Sequence, residues 1–148
     1  MEPDSLLWLD VLVPASDPLW ERDVGQAFLW LGEAWARALV DLGVETSVHR
    51  GPMGRSRWSG LVCFAGLGPG ELTDTTGRKV LGISQRRTRA GARFQCVAPA
   101  TWDPTRLVDL LTMSPVERAS AVMELTDVAA GVDVAAPALL RSFLAHLP

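Results

Sequence analysis

Between Asp17 and Gly43 the apolar residues Val24, Phe28, Leu31, Trp35 and Leu39 recur at steps of four, three, four and four. That spacing stacks side chains on one face of an α-helix. Asp17 offers a capping carboxylate, Pro18 stands where a first helical residue would, and Gly43 closes the segment. The pattern predicts one long amphipathic helix over residues 18–42. A helix with a single apolar stripe must bury it against a second layer, so the flanking segments decide the fold.

Those segments read as strands. Leu6–Val13 is a near-continuous apolar run of strand length. Val44–Val48, Leu61–Ala65 and Glu71–Thr73 are shorter candidates. Lys79–Gln85 and Ala92–Val97 form a hairpin pattern about the glycine-containing loop Arg87–Gly91. The tail turns helical again over Pro104–Leu111 and Pro137–Leu147. Between these, Ser114-Pro115-Val116-Glu117 is a capping box with proline at the first helical position. The order predicts an α+β fold: a mixed, largely antiparallel sheet packed by one long helix, with small C-terminal helices. Residues 1–112 are expected to form the sheet-bearing part and residues 113–148 a helical extension.

Composition narrows the function classes. The 148 residues are 48% apolar and 21% charged with a net charge of −3, values of a globular chain with no call on nucleic acid or a membrane surface. No apolar run approaches a bilayer span, and Met1-Glu2-Pro3-Asp4 lacks the basic start of a signal peptide. Cys63 and Cys96 make no disulfide framework, and a cytoplasmic setting with reduced thiols is the expectation. His49 and His146 fall in no metal-ligand spacing, so no metal site is expected.

Four features could carry chemistry. Lys79 is the only lysine among fourteen basic residues and lies between Gly77 and Gly82. An ammonium is a compact point charge that arginine replaces poorly; at a strand start it is expected to reach the surface. Six of the fourteen basic residues fall between Arg78 and Arg93, making one locally cationic hairpin. Gly66-Leu67-Gly68-Pro69-Gly70 is glycine-rich, but no Gly-Lys-Ser/Thr follows, so it reads as a turn. Cys63, on an apolar strand, is either an inert small hydrophobe or, with cations beside it, a nucleophile; Cys96 is less suggestive. Trp58, in a loop beside arginines, is a candidate pocket wall.

Gly77-Arg78-Lys79-Val80-Leu81-Gly82-Ile83-Ser84-Gln85-Arg86-Arg87 resembles the central motif of the biotin/lipoate protein ligase superfamily. Gln85 and the arginines after it are similar to the lipoate–protein ligase branch; Ile83 is the biotin-like letter. Leu7–Val13, the long helix with Gly32-Glu33-Ala34-Trp35, and Val62–Ala65 support the resemblance, which covers about residues 6–109. It implies a lipoate/biotin ligase-like catalytic domain that attaches lipoate or octanoate to a lysine of a carrier domain through an acyl-adenylate. ATP with Mg2+ and lipoate or octanoate are the implied ligands. The implied acceptor is the lipoyl carrier domain of a 2-oxoacid dehydrogenase complex or of a glycine cleavage protein. Lys79 would set its charge against the acyl carbonyl and the adenylate phosphate, with Gly77, Arg78, Gly82, Ser84 and Gln85 around the ligand. Cys63-Phe64 stands where related octanoyltransferases keep a cysteine-phenylalanine pair, which implies an alternative, ATP-independent transfer through Cys63.

The chain also departs from the pattern. The superfamily's Arg-Arg-x-Gly-Gly-Gly-Ala segment occurs nowhere in it, and the His-His-Gly after the second strand is replaced by Phe94-Gln95-Cys96. The expectation is the C-terminal part of such a catalytic domain, a partner-dependent or non-catalytic half to which a second chain would supply the Gly-rich segment.

Overall fold

The computed structural model describes residues 6–148; the acidic start read above lies outside them. The elements run β1 (Leu6–Pro14), α1 (Leu29–Asp41), β2 (Ser47–Val48), β3 (Leu72–Thr73), β4 (Lys79–Thr88), β5 (Gly91–Pro99), α2 (Pro104–Val108), α3 (Pro115–Leu125) and α4 (Ala136–Ala145). The strands form one sheet in the order β1-β5-β4-β3-β2, every neighbouring pair antiparallel. This is the expected α+β architecture. The β4–β5 hairpin is longer than its hydrophobic pattern suggested, turning at Arg89-Ala90. Arg86 and Arg87 continue the ladder because their backbone pairs with Arg93 and Ala92 whatever their side chains do.

One face of the sheet carries α1. Leu31, Trp35 and Leu39 of the predicted stripe are wholly buried there. The helix begins later than expected. Asp17 accepts from Leu19 N and closes a local turn, while Asp23 accepts from Gln26 N and starts the 3-10 turn Gln26–Phe28 that leads into α1. Val24 lies before that turn and is exposed. Gly43 ends the helix at φ +81°, where a side chain is disfavoured. α4 packs on the far flank of α1, its Phe143 ring stacked on Trp35 at 3.9 Å.

Leu61–Ala65 is not a strand. Trp58 and its neighbours turn, and Cys63–Ala65 is a 3-10 turn. The apolar side chains of this stretch serve a second core instead: Trp58, Val62 and Ala65 pack with Val108 of α2 and with Ala121 and Leu125 of α3. Trp58 is therefore core, 6% exposed with its indole N–H donating to Glu124 at 2.8 Å. The α3 capping box forms as read, Ser114 and Glu117 satisfying each other's backbone N–H.

Candidate functional site

The start of β4 is gripped on both sides. The tight turn before it is organised by Asp74, whose carboxylate accepts from Thr76 N, Thr76 Oγ1, Arg78 N and Arg78 Nε at 2.7–3.0 Å. On the side opposite β3, beyond the end of the β4–β5 pairing, the segment leading to α4 clamps Lys79: Lys79 N donates to Val128 O, and Ala130 N donates to Lys79 O, each at 2.9 Å. The lysine backbone is thus fixed before its side chain is considered.

That side chain does not reach solvent, contrary to the expectation for a strand-start lysine. Lys79 is 4% exposed. Its ammonium lies 2.7 Å from Glu71 Oε2, 2.9 Å from Gly66 O and 3.2 Å from Cys63 O, with the Phe64 ring centroid 5.0 Å away. Three acceptors meet three ammonium protons. Glu71, 5% exposed, is equally engaged. Its Oε2 also accepts from Gly68 N at 2.7 Å and its Oε1 from Ile83 N at 2.9 Å. An isolated ion buried this deeply would cost several kcal/mol, and only such complete pairing offsets that.

A pocket of about 190 Å³ opens beside the pair, walled by Gly54–Ser56, Phe64–Leu67, Thr73, Gly77, Lys79 and Val128. Nothing lies within 4 Å of where a Gly77 Cβ would stand, whereas a Cβ on Gly82 would meet Phe64 at 3.2 Å and the Lys79 stem at 3.4 Å. Lys79, Gly77 and Gly82 therefore converge. The other residues of the motif diverge: Arg78 turns to Asp74, Ser84 is exposed, and Gln85 shares the α1-facing register with Phe94 and accepts from Arg87 Nε at 3.0 Å.

Cys63 reaches the cluster by its carbonyl, and its thiol is on an exposed residue rather than a buried strand. Two of the hairpin arginines are occupied elsewhere, Arg87 on Trp20 and the carbonyls of Glu21 and Arg22, Arg93 on Asp10. Cys96 is buried against α1, and burial pushes its thiol up to about 12, so it is no nucleophile. Among the described residues no group of three His, Cys, Asp or Glu side chains is placed to hold a metal, and no helix is long and apolar enough to cross a membrane. Glu71 is the residue sequence reasoning missed; it meets Lys79 only through the pairing of β3 with β4, which no spacing in the sequence announces.

No protein-family profile and no curated relative matches the chain. Solved structures do. A bi-partite lipoate protein ligase from Thermoplasma acidophilum superposes with a TM-score of 0.72 at 14% identity, over 96% of this chain and 49% of that one. A T. acidophilum protein assigned to the lipoate protein ligases, with lipoic acid bound, gives 0.62 at 17% identity over 96% and 50%. A lipoate-protein ligase A with ATP bound gives 0.56 at 17% over 95% and 50%. The fold is that of lipoate–protein ligase structures, and the chain spans about half the length of those it matches.

Proposed function

We propose that the chain is the lysine-bearing part of a lipoate–protein ligase-like acyltransferase, attaching lipoate or octanoate to a lysine of a lipoyl carrier domain through an acyl-adenylate made from ATP. The observation that carries this reading is the placement of the only lysine, ammonium inward, between Gly77 and Gly82 at the mouth of a pocket, in a fold shared with structures that hold lipoic acid and ATP.

Lys79 supplies a preorganised positive charge where negative charge develops on the acyl carbonyl and the phosphate, an effect worth roughly 3–4 kcal/mol in comparable sites. Gly77 lets the ligand approach the backbone closely, while Gly82 leaves room for Phe64 and the Lys79 stem. Arg78, Ser84 and Gln85 belong to this reading through the motif alone. Mg2+ would enter with the nucleotide phosphates, which suits a site without a three-carboxylate cage. Residues 1–112 carry most of the pocket, and residues 113–148 line it through Val128 and clamp Lys79 through Val128 and Ala130. A cytoplasmic setting supplies ATP.

The pocket is about 190 Å³, against roughly 300–1,000 Å³ for sites that enclose a whole small ligand. A second polypeptide, or further residues covering the rest of the fold, would complete the walls. The exposed Cys63 beside the same cluster favours one further reading, ATP-independent octanoyl transfer through a thioester.

Intact mass decides between the two readings. Incubation with ATP, Mg2+, octanoate and a lipoyl carrier domain should add one octanoyl group to the carrier. Octanoyl-carrier protein without ATP should instead leave a hydroxylamine-labile adduct on Cys63 if the second reading holds. An unmodified carrier, an unmodified Cys63 and no binding of an acyl-adenylate analogue would refute both.

A further inference from the structure

Glu71 has no counterpart among the residues read as a site, yet it is the most completely engaged carboxylate near the pocket. It takes Lys79 Nζ at 2.7 Å, Gly68 N at 2.7 Å and Ile83 N at 2.9 Å. The remaining ammonium protons of Lys79 go to the carbonyls of Gly66 and Cys63. Every group facing the nitrogen is an acceptor. A neutral amine has only two protons and a lone pair, and here that lone pair would face an oxygen lone pair in a low-dielectric setting.

We propose that Glu71 is a positioning residue that guards Lys79 against acylation by the activated acyl group handled in its own site. The inference rests on the acyl-transfer reading. Any enzyme that delivers an activated acyl group to an acceptor lysine, while holding a lysine of its own beside that group, faces a competing reaction. In it, the amine lone pair attacks the acyl carbon, a C–N bond forms, and the C–O bond to phosphate or the C–S bond of a thioester breaks. The leaving group departs with the electron pair, and the amine proton passes to solvent. The result is a neutral amide that ends the residue's usefulness. An ammonium has no lone pair and cannot enter this reaction. Glu71 and the two carbonyls take all three ammonium protons of Lys79 and fix the nitrogen at the pocket wall.

The chain offers a direct test, because Lys79 is its only lysine. The folded 148-residue chain is treated with N-hydroxysuccinimidyl acetate, and acetylation of Lys79 is measured by peptide mass spectrometry against the α-amino group of the same molecule. In the wild type Lys79 should react at least about tenfold more slowly than the α-amino group, as expected when all three ammonium protons are held by acceptors, one of them a charge-assisted bond. Glu71→Gln should raise the Lys79 rate about tenfold or more, while Glu71→Asp, which keeps the charge, should stay within about threefold of wild type. Phe64→Ala separates charge from simple burial: it uncovers the ammonium but leaves Glu71 in place, so Lys79 should stay slow. Rapid labelling of wild-type Lys79, a Gln variant as slow as wild type, or a Phe64→Ala variant as fast as the Gln variant would overturn the proposal. The assay involves no carrier domain and no ATP, so its failure leaves the acyl-transfer reading standing, and failure of carrier modification leaves this result standing.

Discussion

The ammonium of Lys79 and the carboxylate of Glu71 sit 2.7 Å apart with both residues about 95% out of solvent, Glu71 immediately before β3 and Lys79 at the start of β4, two strands joined through a bulged pairing. An ion pair this buried makes each partner dependent on the other. Lys79→Met leaves a carboxylate without its cation and should cost about 3–5 kcal/mol. Replacing both, Lys79→Met with Glu71→Gln, removes the orphaned charge and should recover much of that loss. Urea unfolding of the three chains measures it; a double variant no more stable than the single one would show that the pair is not coupled in this way.

The turn before Lys79 gives a pH-dependent signature. Partial burial of Asp74 pushes its carboxyl upward. The Thr76 hydroxyl, the backbone N–H groups of Arg78 and Thr76 and the Arg78 side chain outweigh that push and hold it below the ordinary 3.8. A depressed carboxyl stabilises the fold fully above its unfolded value and loses that contribution as pH falls through the folded value. Asp74→Asn should therefore cost about 1–2 kcal/mol at pH 7, with the gap to wild type closing below about pH 4. Thermal midpoints of both chains between pH 7 and 3 test this, and a gap independent of pH would count against it.

Helix α1 meets the glycine loop with no room to spare. A Cβ on Gly32 would stand 2.1 Å from Gly70 O, and one on Gly70, at φ +79°, would stand 2.4 Å from Phe28 O. Gly32→Ala should force the helix off the loop that supplies Gly66 and Gly68 to the lysine cluster, destabilising the chain by more than about 2 kcal/mol. Circular dichroism during thermal unfolding reports it.

The two thiols should separate cleanly. Iodoacetamide on the folded chain should add one group, on the exposed Cys63, while Cys96, buried with its thiol pushed up to about 12, stays unmodified until the chain unfolds. Two adducts on the folded chain would contradict the packing of β5 against α1.

Much of this fold was legible because period-2 and period-3.6 patterns survive where one face is buried: the Leu31–Trp35–Leu39 stripe, the β1 run, the hairpin and the Ser114 capping box all form. The misreadings share a cause. Leu61–Ala65 is as apolar as a short strand, but its side chains fill a satellite core against α2 and α3, and five residues carry too little periodicity to tell the two apart. Asp17 and Pro18 are sound capping chemistry spent on a turn, while Asp23 holds the helix start. In the site, Lys79 and its flanking glycines were visible as a motif. Glu71, the carbonyls of Gly66 and Cys63 and the Val128–Ala130 clamp were not, because they reach the lysine only through the tertiary fold.

The central claim is that an activated acyl-nucleotide binds against Lys79, and the single lysine makes it directly measurable. A chain labelled with 15N-lysine should give one lysine amide resonance, adjacent to the Gly77 opening of the pocket. Titration with a non-reactive octanoyl-sulfamoyl adenosine should move that resonance saturably, with weak affinity because a pocket of about 190 Å³ encloses only part of such a ligand, while octanoate alone should move it far less. A lysine resonance unmoved by the analogue at millimolar concentration, in a chain whose circular dichroism shows it folded, would contradict the account.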